Sequence, residues 1–174
     1  MKLEELEKKI EEQEKRLRIT DDIEEIKKLQ YRYINSLIAH RWDEIADCFA
    51  EDAVMNMGVA KIKDGTTVGG ILKGKAAILK EFKEGISKAH TGREGLFVVH
   101  PIINVDGDKA TGKWLSYFMH VRSAGQDPLL HWMQGVYACE YIKENNKWKF
   151  SLFKWRPRLR YKQSQMEYLE CDLI

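Results

Sequence analysis

His100 and His120 are the side chains here best suited to moving a proton, because imidazole titrates nearest neutrality. His100 lies within Phe97-Val98-Val99-His100-Pro101-Ile102-Ile103-Asn104-Val105, and His120 near the end of the run from Ala110 to Val121. Both runs are rich in strand formers. The turn Asp106-Gly107-Asp108 between them is of the kind that joins antiparallel neighbours, so the two imidazoles are expected to face one cavity. The histidines show neither HxH nor HExxH spacing with carboxylates, so no metal is expected. No Gly-rich nucleotide-binding pattern occurs. Cys48 sits beside Phe49 and reads as buried and inert rather than nucleophilic.

The elements that must position these groups read as follows. Residues 1–19 form an amphipathic helix with a thin apolar seam of Leu3, Leu6, Ile10 and Leu17, and polar Gln13 in the same register. Asp21 and Glu24 make a capping box that opens a second helix carrying Ile23, Ile26, Leu29, Tyr33 and Leu37. The pattern breaks at Ala39-His40-Arg41 and resumes as a short third helix with Trp42, Ile45 and Phe49. Strands follow at 53–57 and 67–72, then a helix after Gly74 with Ile78, Leu79, Phe82 and Ile86. Three long strands (96–105, 110–122 and 129–143) and a fourth from Trp148 to Trp155, ending before Pro157, complete the chain. Helices followed by an antiparallel meander imply an α+β fold. The domains expected are 1–19 as the N-terminal helix, 20–162 as the main body and 163–174 as a tail.

Bulk composition narrows the function classes. A formal charge of +2 gives no global pull towards nucleic acid. The segment from Lys147 to Lys162 does interleave seven basic residues with aromatics, but a strand with a basic edge accounts for it. Three widely spaced cysteines indicate no disulfide framework. No apolar run is long enough to span a bilayer, and the N-terminus is charged from Lys2 onward, so a cytoplasmic location is expected.

The ordered set of landmarks resembles the SnoaL-like branch of the nuclear transport factor 2 (NTF2-like) superfamily. It comprises the helix Asp22-Ile23-Glu24-Glu25-Ile26-Lys27-Lys28-Leu29 leading to Tyr33, the segment from Arg41 to Val54, Gly74, His100, Gly112 and Trp148-Lys149-Phe150. The resemblance covers residues 20–160 and is similar to bile-acid 7α-dehydratase and scytalone dehydratase. It implies a curved antiparallel sheet wrapped round helices into a cone-shaped pocket, no cofactor, and a homo-oligomer, dimer or trimer. By the same resemblance, His100 is the proton-abstracting base and Tyr33 and His120 are further catalytic residues. Arg156 or Arg158 is a basic residue near the end of the last strand. Two departures accompany it: Ile38 stands where the family has the aspartate that pairs with the histidine, and Phe118 stands at a second acidic position.

Period-two alternation places Trp114, Ser116, Phe118 and His120 on one strand face, and the resemblance turns that face inward. The matching inward set on the next strand is His131, Met133, Gly135, Tyr137 and Cys139. The expected substrate-binding set is Ile38, Trp114, Ser116, Phe118, His131, Tyr137 and Arg156. Such a lining suits a flat apolar ligand held by a few hydrogen bonds. Two functions are expected to compete. The first is a cofactor-independent lyase, dehydratase-like, or isomerase acting by histidine-mediated proton abstraction on a small or polycyclic hydroxy-ketone-like compound. The second is a non-catalytic binding protein for an apolar aromatic or polycyclic ligand, which the apolar Ile38 and Phe118 favour. Neither needs nucleic acid or membrane as partner.

Overall fold

A computed structural model describes residues 3–61, 67–89, 94–124 and 127–163, with the side chains of 60, 61, 89, 120–124, 127–131, 162 and 163 left aside. The first helix, α1 (Leu3–Ile38), is a single unbroken element of 36 residues, so the two helices expected from the sequence are one. Nothing between Leu3 and Ile38 is glycine or proline, and good helix formers dominate, so the Asp21/Glu24 pattern meets no reason to start a new helix. Asp22 instead serves the tertiary structure. Its Oδ1 accepts from Lys143 Nζ at 2.5 Å and from Trp148 Nε1 at 2.9 Å, and the Lys143 ammonium lies 5.0 Å from the Trp148 ring.

After α2 (Trp42–Ala46) the chain enters β1 (Phe49–Lys61), so Phe49 begins a strand rather than closing a helix. β2 (Thr67–Lys73), α3 (Lys75–Glu84) and a 3-10 turn (Ile86–Ala89) follow. β3 (Gly95–Asp106), β4 (Lys109–Ala124), β5 (Asp127–Glu144) and β6 (Lys147–Gln163) complete a six-stranded sheet in the order β2-β1-β6-β5-β4-β3. Every pair is antiparallel except β1 with β6, which is parallel. β6 does not stop at Pro157. Pro157 lies opposite Gly135, where the β5–β6 register slips by one residue, a bulge that tolerates a missing N–H. The β5–β6 hairpin turns on Asn145 and Asn146, both at positive φ, as a twisted two-residue turn requires.

The core lies between the inner face of the sheet and α1 from Ile26 onward. Ile26, Leu29, Tyr33, Ile34 and Leu37 pack against Phe49, Met55, Trp114, Tyr137, Tyr141, Phe150 and Phe153, with Ile78 and Phe82 of α3 closing one side. Residues 3–21 of α1 are all exposed and stand clear of this core. Among the described residues no helix is long and apolar enough to cross a membrane. Asp22→Ala is expected to lower unfolding free energy by about 2 kcal/mol, since it strands a lysine and an indole N–H together. Chemical denaturation measures this, and an unchanged midpoint would show the clasp to be idle.

Candidate functional site

Cross-strand pairing assigns the inner face directly, because residues opposite one another in a ladder share a face. Trp114, Tyr137 and Trp155 form one row. The next is Val98, Ser116, Gly135 and Pro157, and beyond it Leu96, Phe118, Met133 and Arg160. The Cα positions of His120, His131 and Lys162 form the row after that, but those side chains lie outside the described residues. The inward set read from alternation on β4 and β5 therefore agrees with burial wherever burial is described. Trp114 and Ser116 are buried, as are Gly135, Tyr137 and Cys139. Ser116 Oγ accepts from Trp155 Nε1 at 3.2 Å, across Gly135. A Cβ on Gly135 would meet Trp155 Nε1 at 2.6 Å, so only glycine lets the indole lie there.

Tyr33 is enclosed. Its ring lies 4.7 Å from Phe153, 5.8 Å from Phe150, 6.2 Å from Phe49, 6.3 Å from Phe82 and 6.4 Å from Tyr137. Burial pushes its phenol well above the usual range, as it does those of Tyr137 and Tyr141, so all three stay protonated at neutral pH. Burial likewise pushes the Cys139 thiol up to about 12 and raises that of Cys48, which removes both as nucleophiles at neutral pH. Trp114 Nε1 donates to Tyr141 Oη at 3.0 Å. The narrow half of the cone is thus filled by its own rings.

The open half is different. Ile38, Trp42, Val98 and Phe118 pack on the core yet stay only partly buried, as does Met133. Two expected residues lie elsewhere. His100 is exposed, at φ 51, in a bulge where His100 and Pro101 together oppose Trp114. The slip between Val99 and Ile102 breaks the alternation that would have turned it inward, and Leu96 holds the position opposite Phe118. Arg156 pairs with Val136, on the face opposite Tyr137, and its Nη1 donates to Asn56 Oδ1 at 2.9 Å. It therefore ties β6 to β1 outside the cone. Arg160 is the basic residue that the register places in the inner row with Phe118.

A second imidazole stands where the sequence offers little signal. α1 ends in a Schellman motif: Arg41 N–H donates to Ser36 O at 2.8 Å and His40 N–H to Leu37 O at 3.2 Å. This forces His40 to φ 55, a conformation that favours glycine. The imidazole stacks on Trp42 at 5.0 Å, and Trp42 stacks on Phe82 at 6.0 Å. Nε2 of His40 lies 3.8 Å from Oε2 of Glu94, whose side chain is 1% exposed against 31% for the imidazole. Glu94 directly precedes β3, two residues from Leu96, so the pair sits at the same open end as Phe118. A lone helix-end histidine and a carboxylate 54 positions later share no sequence pattern, and only the fold joins them. A separate depression of about 290 Å³, lined by Ile102, Asn104, Lys113, Glu140 and Lys154, lies on the outer face of the sheet and touches none of these groups.

The SnoaL-like domain family matches residues 18–154. The chain belongs to that family. Its NTF2-like fold is shared with a hexachlorocyclohexane dehydrochlorinase from Novosphingobium barchaimii, at TM-score 0.71 and 16% identity over 87% of this chain and 97% of that one. A putative scytalone dehydratase from Novosphingobium aromaticivorans aligns at TM-score 0.66 and 17% identity, covering 86% and 91%. An NTF2-like protein with a cystatin-like fold from the same species aligns at 0.57 and 20%, covering 80% and 84%. At these identities the likeness concerns the fold. No curated protein matches the chain in sequence.

Gln30, on the inner face of α1, is fully buried and neither its Nε2 nor its Oε1 has a hydrogen-bond partner. An unpaired buried amide costs about 1–3 kcal/mol, so Gln30→Met, close in shape, is expected to stabilise the protein by a similar amount. Equilibrium unfolding in urea tests this; a destabilised variant would mean that the amide is satisfied in solution.

Proposed function

We propose that this SnoaL-like domain binds a flat, largely apolar small molecule in the open half of its cone. The observation that carries this reading is the lining: Ile38 and Phe118 at the two positions where the resemblance led one to seek acids, Leu96 and Met133 in the Phe118 row, and Val98 and Ser116 one row deeper. Apolar and sulfur-bearing walls with few polar points bind by area and shape. The partly buried Phe118, and Trp42 where it is not stacked on His40 and Phe82, contribute aromatic wall for a planar ring system. Arg160, in the Phe118 row, adds a positive charge at the rim. The fused aromatic ketone 2-tetralone is a suitable probe. It is expected to quench tryptophan fluorescence on binding, and Phe118→Asp is expected to weaken that binding by at least about tenfold, the equivalent of about 1.4 kcal/mol. Equal affinity in the variant would remove the pocket from this part of the cone.

A second reading, proton transfer of the lyase or isomerase kind, is favoured by the His40–Glu94 pair. A buried carboxylate beside an imidazole orients the ring and stabilises the imidazolium formed when it takes a proton. In this reading His40, not the exposed His100, takes a proton from a carbon next to a carbonyl. His120 and His131, whose backbones pair across β4 and β5, are the candidates in this reading for returning one. Tyr33 then supports the interior rather than a substrate oxygen.

The test is deuterium incorporation into 2-tetralone in D2O, followed by NMR. His40→Gly relieves the positive φ, so the fold is expected to be retained while exchange falls by about 10²-fold, the usual weight of a general base. Glu94→Gln is expected to slow exchange as well, and His100→Ala to leave it unchanged. Catalysed exchange that survives His40→Gly would remove His40 as the base, and bound tetralone that never exchanges faster than in buffer would leave binding as the function.

A further inference from the structure

The first half of α1 carries an apolar seam that is exposed among the described residues. Residues 3–21 are exposed throughout, including Leu3 at 72%, Leu6 at 40%, Ile10 at 50% and Leu17 at 61%. Among the described residues the helix packs into its own domain from Asp22 onward. At 1.5 Å per residue this projecting half is about 28 Å long.

We propose that this half of α1 pairs, parallel and in register, with the same segment of a second copy of the chain. The seam fits the heptad of a two-stranded coil, with Leu3, Ile10 and Leu17 at a and Leu6, Gln13 and Thr20 at d. The flanking g positions are then Lys9 and Arg16, and the e positions Glu7, Glu14 and Asp21. In a parallel pair each g faces the following e of the other helix. Lys9 meets Glu14 of the partner subunit and Arg16 meets Asp21 of the partner subunit, and symmetry repeats both contacts. An antiparallel pair would set g against g and e against e, bringing Lys9 to Arg16 and Glu7 to Glu14. The charge pattern thus selects one orientation, and it selects a like partner, because one chain supplies both halves of each contact. Gln13 paired with itself at a d position adds alignment, as a lone polar residue in such a seam does.

Other occupants fit less well. The projecting half has seven acidic and five basic residues, which disfavours an anionic lipid surface. Its seam is too thin to pack under a sheet or into a broad groove. A free peptide of this length would be only marginally helical, but here the helix continues without a break into the packed half beyond Asp22. Most of the ordering cost of coil formation is therefore met within each copy before association.

Cysteine cross-linking of the full chain tests orientation and contact together. In a Cys171→Ser background the remaining native thiols, Cys48 and Cys139, are buried. Leu6→Cys is expected to oxidise to a linked dimer, because parallel register sets position 6 against its own copy. Glu11→Cys, on the back of the helix, is expected to stay monomeric on denaturing gels. Linking of Leu6→Cys only to a Leu17→Cys chain would show antiparallel pairing and overturn the proposal, as would no linking beyond that of Glu11→Cys. Charge exchange gives a second readout. Lys9→Glu with Arg16→Glu in one chain, or Glu14→Lys with Asp21→Lys in another, is expected to weaken self-pairing by about tenfold, and mixing the two to restore it as a heterodimer. Random mixing of the two variants would sink the idea.

Discussion

The packing of α1 against the concave face of the sheet is the contact on which the rest of the molecule depends, and Tyr33 lies at its centre. Its ring touches aromatic side chains from β1, β5, β6 and α3 at centroid distances between 4.7 and 6.4 Å. Rings of this size bury large areas and meet edge to face, so a few of them align elements far apart in sequence. β1 joins β6 by a parallel pairing that closes the sheet behind this cluster. Among the described residues these rings fill that part of the inner face, and the partly buried inward residues lie towards the end where α1 stops.

That end is built from local strain and apolar surface. The Schellman turn ends α1 beside the sheet and holds His40 at a φ that suits glycine, with Trp42 stacked on it and Glu94 near. A non-glycine residue kept in that region persists only when its surroundings over-determine it, and such positions cluster at working sites. Leu96, Phe118 and Met133 face the same space. The open end thus joins a greasy wall to one polar pair, which suits a planar guest presented to a single reactive edge.

The long first helix has two characters in one element. Beyond Asp22 it is a core helix, clasped by Lys143 and Trp148. Before Asp22 its apolar residues recur with heptad spacing and stand exposed among the described residues. Helical continuity transmits rigidity from the packed half to the projecting half, so the orientation of the free seam is set by the core. Gln30, unpaired within the packed half, shows that even this interface tolerates a buried polar cost.

Periodicity was sufficient to read most of the architecture. The α+β class, the four long strands and the shared face of Trp114, Ser116 and Phe118 follow from alternation and turn residues, because a ladder repeats every two residues whatever lies around it; that this face points inward came from the resemblance. The resemblance added the family, and with it the significance of Ile38 and Phe118. Local signals failed where a long-range contact could overrule them. The Asp21/Glu24 capping pattern did not start a helix, Pro157 did not end a strand, and the bulge at His100 left that imidazole exposed. Strand register decided that Arg156 lies outside the cone and that Arg160 shares a row with Phe118. His40 and Glu94 have no common pattern in the chain; they meet because a helix terminus and a strand start are packed side by side. Hydrophobic spacing is written residue by residue, whereas a bulge, a register and a meeting of distant side chains exist only once the sheet has closed around the helix.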